Sequence, residues 1–270
     1  MNKMLSAVWA GIIMTLIIAA SPGQSVAKTL EQKPYDKNQV MLPMQSINGQ
    51  TGLIPVSSAA ISSDWKSFFA KNGKWQLNID RVAGTPRMAF GEPIAIKGFE
   101  RVDENNIELA ATSFLRENEK LFNISTNNLK LSRKDFVNGK WYLSFKQYYQ
   151  GVEVLLAGIE IRINSEGKVF FFDVEYYNIA TLGITPKISK NEAIENSGRG
   201  MQTKSKLNKS MASEKLYILP HKYTDRADFH LVYKVNVSPA GESARYTTYV
   251  SALDGSIAWR YNNFMNADVI

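Results

Sequence analysis

The chain has 270 residues, a formal net charge of +7 and no cysteine. Without cysteine, disulfides and thiol nucleophiles are excluded, so the fold must be stabilised by a hydrophobic core. The length allows two modest domains. The mild positive charge is spread along the chain, which favours an acidic protein partner and does not indicate a nucleic-acid-binding protein.

Residues 1–27 have the pattern of a cleaved Sec signal peptide. Lys3 supplies a positive charge, an apolar run covers 5–20, and small residues precede a predicted cleavage site between Ala27 and Lys28. The apolar run is shorter than the ~20 residues of a membrane-spanning helix, which disfavours an uncleaved anchor. We therefore expect a secreted, extracellular or periplasmic mature chain with no membrane attachment and a charge of 31 − 25 = +6.

After a predicted linker at 28–49, the segment 50–184 shows two helix patterns. Trp65, Phe68 and Phe69 are spaced as on one face of a short helix, and serines precede them as possible caps. The segment 103–122 has a longer apolar stripe that includes Phe114 and Leu115, which predicts an amphipathic helix. We expect these two residues to be buried against a sheet, on Trp141, Leu143 or Phe145.

That sheet is predicted from alternating runs between residues 75 and 178. Gly84 marks a first hairpin, and the pairs Asn138-Gly139, Gln150-Gly151 and Glu166-Gly167 separate the later runs. Such pairs between alternating segments predict tight hairpin turns with positive φ at glycine. The segment is therefore expected to be an antiparallel meander.

The segment 187–262 repeats this order of a helix followed by strands. Ser189 and Glu192 form a capping-box pattern, and four strand-like runs follow, the last two separated by Asp254-Gly255. The expected fold class is α+β, with two small units that each have an antiparallel β-sheet packed on a helix. Residues 263–270 are expected to form a C-terminal tail.

The chain shows no recognisable catalytic motif. It has two histidines, His221 and His230, and neither lies in an HExxH or another metal-ligand pattern. GxSxG and P-loop motifs are also absent from the sequence. We expect no catalytic residues, no metal and no cofactor, and a function that depends on contact with another protein.

Two segments resemble known families. The segment with FFAKNGKW, the helix ending FLRENEKLF and the hairpin QYYQGVEV is similar to the fungalysin/thermolysin propeptide (FTP) domain. The family hairpin pattern falls on five residues: Gln147, Tyr148, Gly151, Val152 and Val154. The later segment, with ISKNEAIE, LVYKVNV and YVSALDGSIAWRYN, resembles a PepSY domain. FTP followed by PepSY after a signal peptide is the order found in thermolysin-like precursors.

The resemblance implies a non-catalytic pro-region. Such a region assists folding of a secreted zinc metallopeptidase domain and inhibits it, in cis within a precursor or in trans. The chain departs from the family in lacking the HExxH domain, and Ser251-Ala252-Leu253 precedes Asp254-Gly255 where PepSY strands often end in Asp-Ala. The end of the chain is compatible with truncation of a longer precursor.

The C-terminal tail is a candidate inhibitory element, because a family pro-region would run there toward its catalytic domain. The candidate residues are Asn262, Asn263, Phe264, Met265, Asn266, Ala267 and Asp268. The sequence is also compatible with two other interpretations: an exported protein-binding module with no link to a peptidase, and an enzyme with an unrecognised carboxylate site.

Overall fold

The structure, a computed structural model, describes residues 53–55, 62–201 and 203–263, and the backbone alone for 53–55. These residues belong to one compact unit, Asp36–Ile270. The helices are α1 (Ser63–Asn72), α2 (Ile107–Glu117), α3 (Glu119–Phe122) and α4 (Lys190–Asn196). The strands are β1 (Leu53–Pro55), β2 (Trp75–Asp80), β3 (Pro86–Ala95), β4 (Leu129–Val137), β5 (Lys140–Tyr149), β6 (Val152–Asn164), β7 (Lys168–Glu175), β8 (Leu207–Lys222), β9 (Ala227–Pro239), β10 (Tyr246–Ser251) and β11 (Ile257–Asn262). In the described part of the chain, no helix has the length and apolar character needed to cross a membrane.

Helices α1 and α4 form where the capping patterns predict them. The Ser62 hydroxyl accepts a hydrogen bond from the backbone of Trp65 and begins α1. Ser189 and Glu192 form a complete capping box at the start of α4. Each cap satisfies backbone N–H groups that have no partner inside the helix.

The predicted helix at 103–122 is shorter than expected and divided. Asp103 and Asn106 bond to loop backbone, so the helix begins only at Ile107. Asn118 leaves helical geometry between α2 and α3, and its side-chain nitrogen donates to the carbonyl of Phe114 at 2.8 Å. Asp and Asn side chains compete with the helix for backbone hydrogen bonds, which explains both the late start of α2 and the break at Asn118.

The fold is mostly β-structure, in one mixed sheet of 11 strands with the order β1-β2-β3-β7-β6-β8-β9-β10-β11. Strands β4 and β5 are attached to it through β6. Neighbouring strands are antiparallel except β6 and β8, where Glu153 pairs with Tyr217 and Val154 with Ile218 in parallel. Within each of the two segments the strands are antiparallel, as expected. The expectation of two separate sheets needs correction, because this junction joins the earlier and later strands into one sheet.

An irregularity in β6 allows this strand to reach β8. Lys146 of β5 pairs with Gly158, whereas Tyr148 pairs with Glu153, so 154–157 bulge out of the ladder. Within the bulge, Leu156 has a positive φ of 60°. A β-bulge bends its strand and increases its twist. The bend directs the start of β6 toward β8 while its later part stays between β5 and β7.

The predicted tight turns are confirmed. Asn138-Gly139 and Gln150-Gly151 both have positive φ at both residues, as two-residue type I′ turns require. Gly167 and Gly255 have φ of 68° and 74°. The predicted hairpin at Gly84, where φ is 68°, joins β2 and β3.

Three groups of buried apolar residues stabilise the sheet. The first core packs α1, α2 and α3 on one face of β2–β7, and it contains Trp65, Phe114, Leu115, Phe122, Trp141, Leu143, Phe145 and Phe172. The second core packs Ala193 of α4 on β6, β8, β9, β10 and β11, with Val154, Ile218, Leu231 and Val250. The third group, Leu219, Val232, Tyr249, Ala258 and Trp259, belongs to β8–β11. The expected burial of Phe114 and Leu115 in one core with Trp141, Leu143 and Phe145 is confirmed.

Candidate functional site: an open sheet edge beside a cleft

The hairpin that resembles the FTP motif joins the two larger cores. Val152 and Val154 belong to the second core, and the latter is fully buried beside the parallel pairing with β8. Tyr148 lies on the opposite side of the hairpin from buried Gln147, and Gly151 has a φ of 85° in the turn. These motif residues are therefore placed to organise the fold.

Gln147 replaces a missing strand partner. Its Nε2 donates to the carbonyl of Tyr177 at 2.6 Å, and its Oε1 accepts from the N–H of Tyr177 at 2.9 Å. β7 has already ended at Glu175, so the buried peptide groups of Tyr177 depend on this side chain. The amide thus supplies the two hydrogen bonds that a neighbouring strand would otherwise make.

We predict that Gln147→Leu destabilises the protein through these unpaired groups. Each buried backbone group left without a partner costs about 1–3 kcal/mol. Two groups lose their partners, so the free energy of unfolding, measured by urea denaturation, should fall by about 2–6 kcal/mol. Gln76→Leu, at an exposed position of β2, is the control and should change it by less than about 0.5 kcal/mol. Equal effects of the two substitutions would contradict the role of Gln147.

Buried and partly buried ion pairs join parts of the sheet that are far apart in sequence. Lys222, at the end of β8, forms an ion pair with Asp80, at the end of β2, and their side chains are 4% and 1% exposed. Arg87 forms ion pairs with Asp173 at 2.6 Å and Glu175 at 2.9 Å. The partners are far apart in sequence and no local pattern marks them, so the sequence analysis did not identify them.

The charges around Glu175 also affect a neighbouring tyrosine. The Tyr177 hydroxyl donates to Glu175 at 3.0 Å. Burial, followed by the negative charge of Glu175, raises the pKa of Tyr177 well above its ordinary value. Tyr177 therefore stays neutral and keeps its proton for this hydrogen bond.

The predicted tail residues are only partly described. Asn262 ends β11 opposite Tyr246, and Asn263 exchanges side-chain hydrogen bonds with Thr247. These two residues thus belong to the edge of the sheet. Phe264, Met265, Asn266, Ala267 and Asp268, like the predicted cleavage site at Ala27 and Lys28, lie outside the described residues.

The two histidines lie near each other on neighbouring strands. His221 stacks on Tyr223 with 4.3 Å between ring centroids and is 6.4 Å from the ring of His230. Burial, with the nearby charge of His230, lowers the pKa of His221. Among the described residues, no group of three or more His, Asp or Glu is arranged to hold a metal ion.

Strand β4 presents the most open edge of the first part of the sheet. Within the described chain it pairs with β5 alone. It is nine residues long and largely exposed, with Phe136 52% exposed at its far end. Leu129 and Leu131 point toward the first core, which holds the strand in place. An exposed edge strand has unpaired N–H and C=O groups that can bond to another chain.

A cleft of about 430 Å³ lies between β4 and α2. It is lined by Glu108, Thr112, Leu115, Thr126, Leu129, Lys130, Leu131 and Phe145. One wall is supported by Glu119, which accepts hydrogen bonds from the backbone and hydroxyl of Thr126 at 2.6 and 2.5 Å. These bonds, the hydroxyl first, lower the pKa of Glu119, so its carboxylate stays charged and keeps the wall ordered.

The edge and the cleft together suit recognition of an extended polypeptide. Such a chain could add to β4 through backbone hydrogen bonds and place a side chain in the cleft. The sequence predicts contact with another protein, but it does not indicate β4 as the place of contact. That choice required knowledge of which strands have neighbours on both sides.

Comparisons with known proteins add little. No family model and no curated protein match the chain. Among solved structures, the YpeB C-terminal domain of Bacillus megaterium is similar, with a TM-score of 0.36 and 13% identity, over 82% of this chain and 94% of that one. This similarity is too weak to support a functional argument, so the resemblance to FTP and PepSY domains rests on the sequence motifs.

Proposed function

We propose that this chain is a non-catalytic pro-region that acts as folding chaperone and inhibitor of a secreted thermolysin-like zinc metallopeptidase. It would act in cis, as part of a precursor, or in trans on a separate enzyme. The open edge of β4 beside the α2 cleft is the observation that carries the proposal, because it gives a template for an extended segment of a partner. The order of the FTP-like and PepSY-like motifs suggests that this partner is a thermolysin-like metallopeptidase.

In this proposal the two larger cores correspond to the two resemblances. The segment 50–184, with α1 and α2 on their strands, is FTP-like, and 187–262, with α4 on its strands, is PepSY-like. The buried ion pair of Asp80 and Lys222 and the Gln147 hairpin hold these segments in one orientation. A template must be rigid to guide another chain, and both features contribute to that rigidity.

Inhibition of thermolysin tests the proposal. The mature chain, 28–270, should slow hydrolysis of a peptide substrate in proportion to its concentration. Thr112→Trp should fill the cleft and weaken this inhibition by about tenfold or more, since central contacts dominate binding. Lys66→Trp, at an exposed position of α1, is the matched control and should change it by less than about twofold. Both variants should keep the parent's melting temperature.

A deletion separates the folded edge from the tail. Removal of 264–270 leaves the bonds of Asn263 to Thr247 intact, so it tests the tail without disturbing β11. Retained inhibition assigns the activity to the folded surface. Lost inhibition with an unchanged melting temperature assigns it to the tail and contradicts the role of β4. No inhibition by the intact chain, of thermolysin or of a metallopeptidase encoded beside it, removes the proposal.

The second candidate is an exported protein-binding module with no link to a peptidase. The same edge and cleft favour it, because β-strand addition serves many kinds of partner. A chain that leaves metallopeptidases fully active but loses binding of its partner on Thr112→Trp would support this alternative.

A further inference from the structure

One side of the sheet carries aromatic and cationic side chains, and we call it the outer face. It is the side of β4–β7 opposite the first core, and side chains reach it by the alternation of each strand. Its aromatic and cationic residues are Lys130, Lys140, Tyr142, Tyr148, Arg162, Phe170 and Phe171. In the described part of the chain, α1, α2 and α3 all pack on the other side.

Arg162, in the middle of the outer face, forms no ion pair with a carboxylate of residues 62–201 or 203–263. Its guanidinium lies 4.1 Å from the ring centroid of Phe171 and 5.3 Å from that of Tyr142. Its Nε is buried and makes no hydrogen bond with any described group. This nitrogen is closed to solvent, so a partner that approaches from solvent would bond to the two terminal nitrogens of the guanidinium.

Two lysines repeat this arrangement on neighbouring strands. Lys130 lies over the ring of Tyr148 at 4.4 Å, and Lys140 over Phe170 at 5.5 Å. Neither forms an ion pair among the described residues. Aromatic rings hold cations in place without neutralising their charge.

The carboxylates of the outer face are already engaged elsewhere. Glu153 pairs with Lys146 at 2.6 Å, and Glu160 pairs with Arg133 at 3.9 Å and accepts from the hydroxyl of Ser144 at 2.7 Å. Asp173 is held by Arg87. Arg162, Lys130 and Lys140 therefore keep their charges free for a ligand that approaches from solvent.

We infer that the outer face binds carboxylate side chains of an acidic polypeptide partner, with Arg162 as the anchor. A guanidinium that is held flat can donate two parallel hydrogen bonds to one carboxylate. Phe90, which pairs with Phe171 and is 48% exposed, adds apolar surface that the side chains of a polypeptide can contact. A polyphosphate has no apolar groups and would gain nothing from the apolar surface of Phe90. The inference does not depend on the peptidase proposal.

Calorimetric titration of the mature chain at low salt tests the inference, with short poly-L-glutamate and inorganic polyphosphate as the two ligands. Poly-L-glutamate should bind, and Arg162→Met should weaken its affinity by at least about tenfold, because charge-assisted hydrogen bonds are lost. Arg162→Lys should lose part of the affinity, since it keeps the charge without the planar fork. Lys66→Met, an exposed cation of α1, is the control and should change affinity by less than about twofold.

The possible contrary outcomes are distinct. Absence of poly-L-glutamate binding, or an affinity of Arg162→Met within about twofold of the parent, overturns the inference. Tighter binding of polyphosphate with the same dependence on Arg162 overturns the choice of a polypeptide. If Arg162→Met does not fold, as judged by circular dichroism, the double variant Lys130→Met/Lys140→Met takes its place with the same expected direction. None of these results depends on peptidase inhibition.

Discussion

Replacing Lys222 with methionine should lower the free energy of unfolding by about 3–5 kcal/mol, because it leaves the buried carboxylate of Asp80 without its counter-charge. That carboxylate also accepts hydrogen bonds from the backbone N–H groups of Val82 and Ala83 at 2.9 and 3.1 Å, so it is not free to turn toward water. Chemical denaturation followed by tryptophan fluorescence measures the loss.

Two companion variants show whether the charge pair is responsible. Asp80→Asn with Lys222→Met removes both charges and keeps an oxygen for the turn, so much of the lost stability should return. Lys168→Met breaks an exposed ion pair with Glu166 and should cost less than about 1 kcal/mol. If Lys222→Met lowers the free energy of unfolding no more than Lys168→Met does, Asp80 and Lys222 do not form a buried ion pair in solution.

Truncating Phe114 to alanine should cost about 3–5 kcal/mol. The side chain is 3% exposed on α2, with ring centroids 6.0 Å from Phe122 and 6.1 Å from Phe172. Its removal leaves a cavity among aromatic rings that themselves pack on Trp65 and Trp75. These neighbours are fixed by both helices and strands, so the site collapses poorly and keeps the cavity.

Leu109→Ala is the matched control for this truncation. Leu109 lies on the same helix and is 60% exposed. Its substitution should change the free energy of unfolding by less than about 0.5 kcal/mol, since no core contact is lost. Equal melting temperatures for Phe114→Ala and the parent would show that α2 does not pack as described.

Several local features followed from sequence because their causes are local. The serine cap of α1, the capping box of α4 and the turns at Gly139 and Gly151 require only residues within a few positions of each other. The apolar stripe of α2 likewise identified Phe114 and Leu115 as buried. Errors at this level were in helix ends, where Asn118 divides one predicted helix into two.

The candidate site was only partly predictable. Alternation along 129–137 predicted a strand, but an edge is defined by the absence of a neighbour, which depends on the order of the whole sheet. The cleft requires α2 and β4 to come together. The stacking of Arg162 on Phe171 and Tyr142 requires the register of three strands, and a shift of one residue would place it on the other face.

The local elements of this protein and the burial of its apolar stripes are predictable from sequence alone, because periodicity and turn chemistry act over a few residues. The lack of recognisable catalytic motifs is likewise a property of the sequence. Two features depend on the complete fold: the bend of β6 at 154–157 that lets it pair in parallel with β8, and the contact of Asp80 with Lys222. Such contacts join residues far apart in the chain. They form because all the strands pair and pack together in one sheet, and no local sequence pattern contains that information.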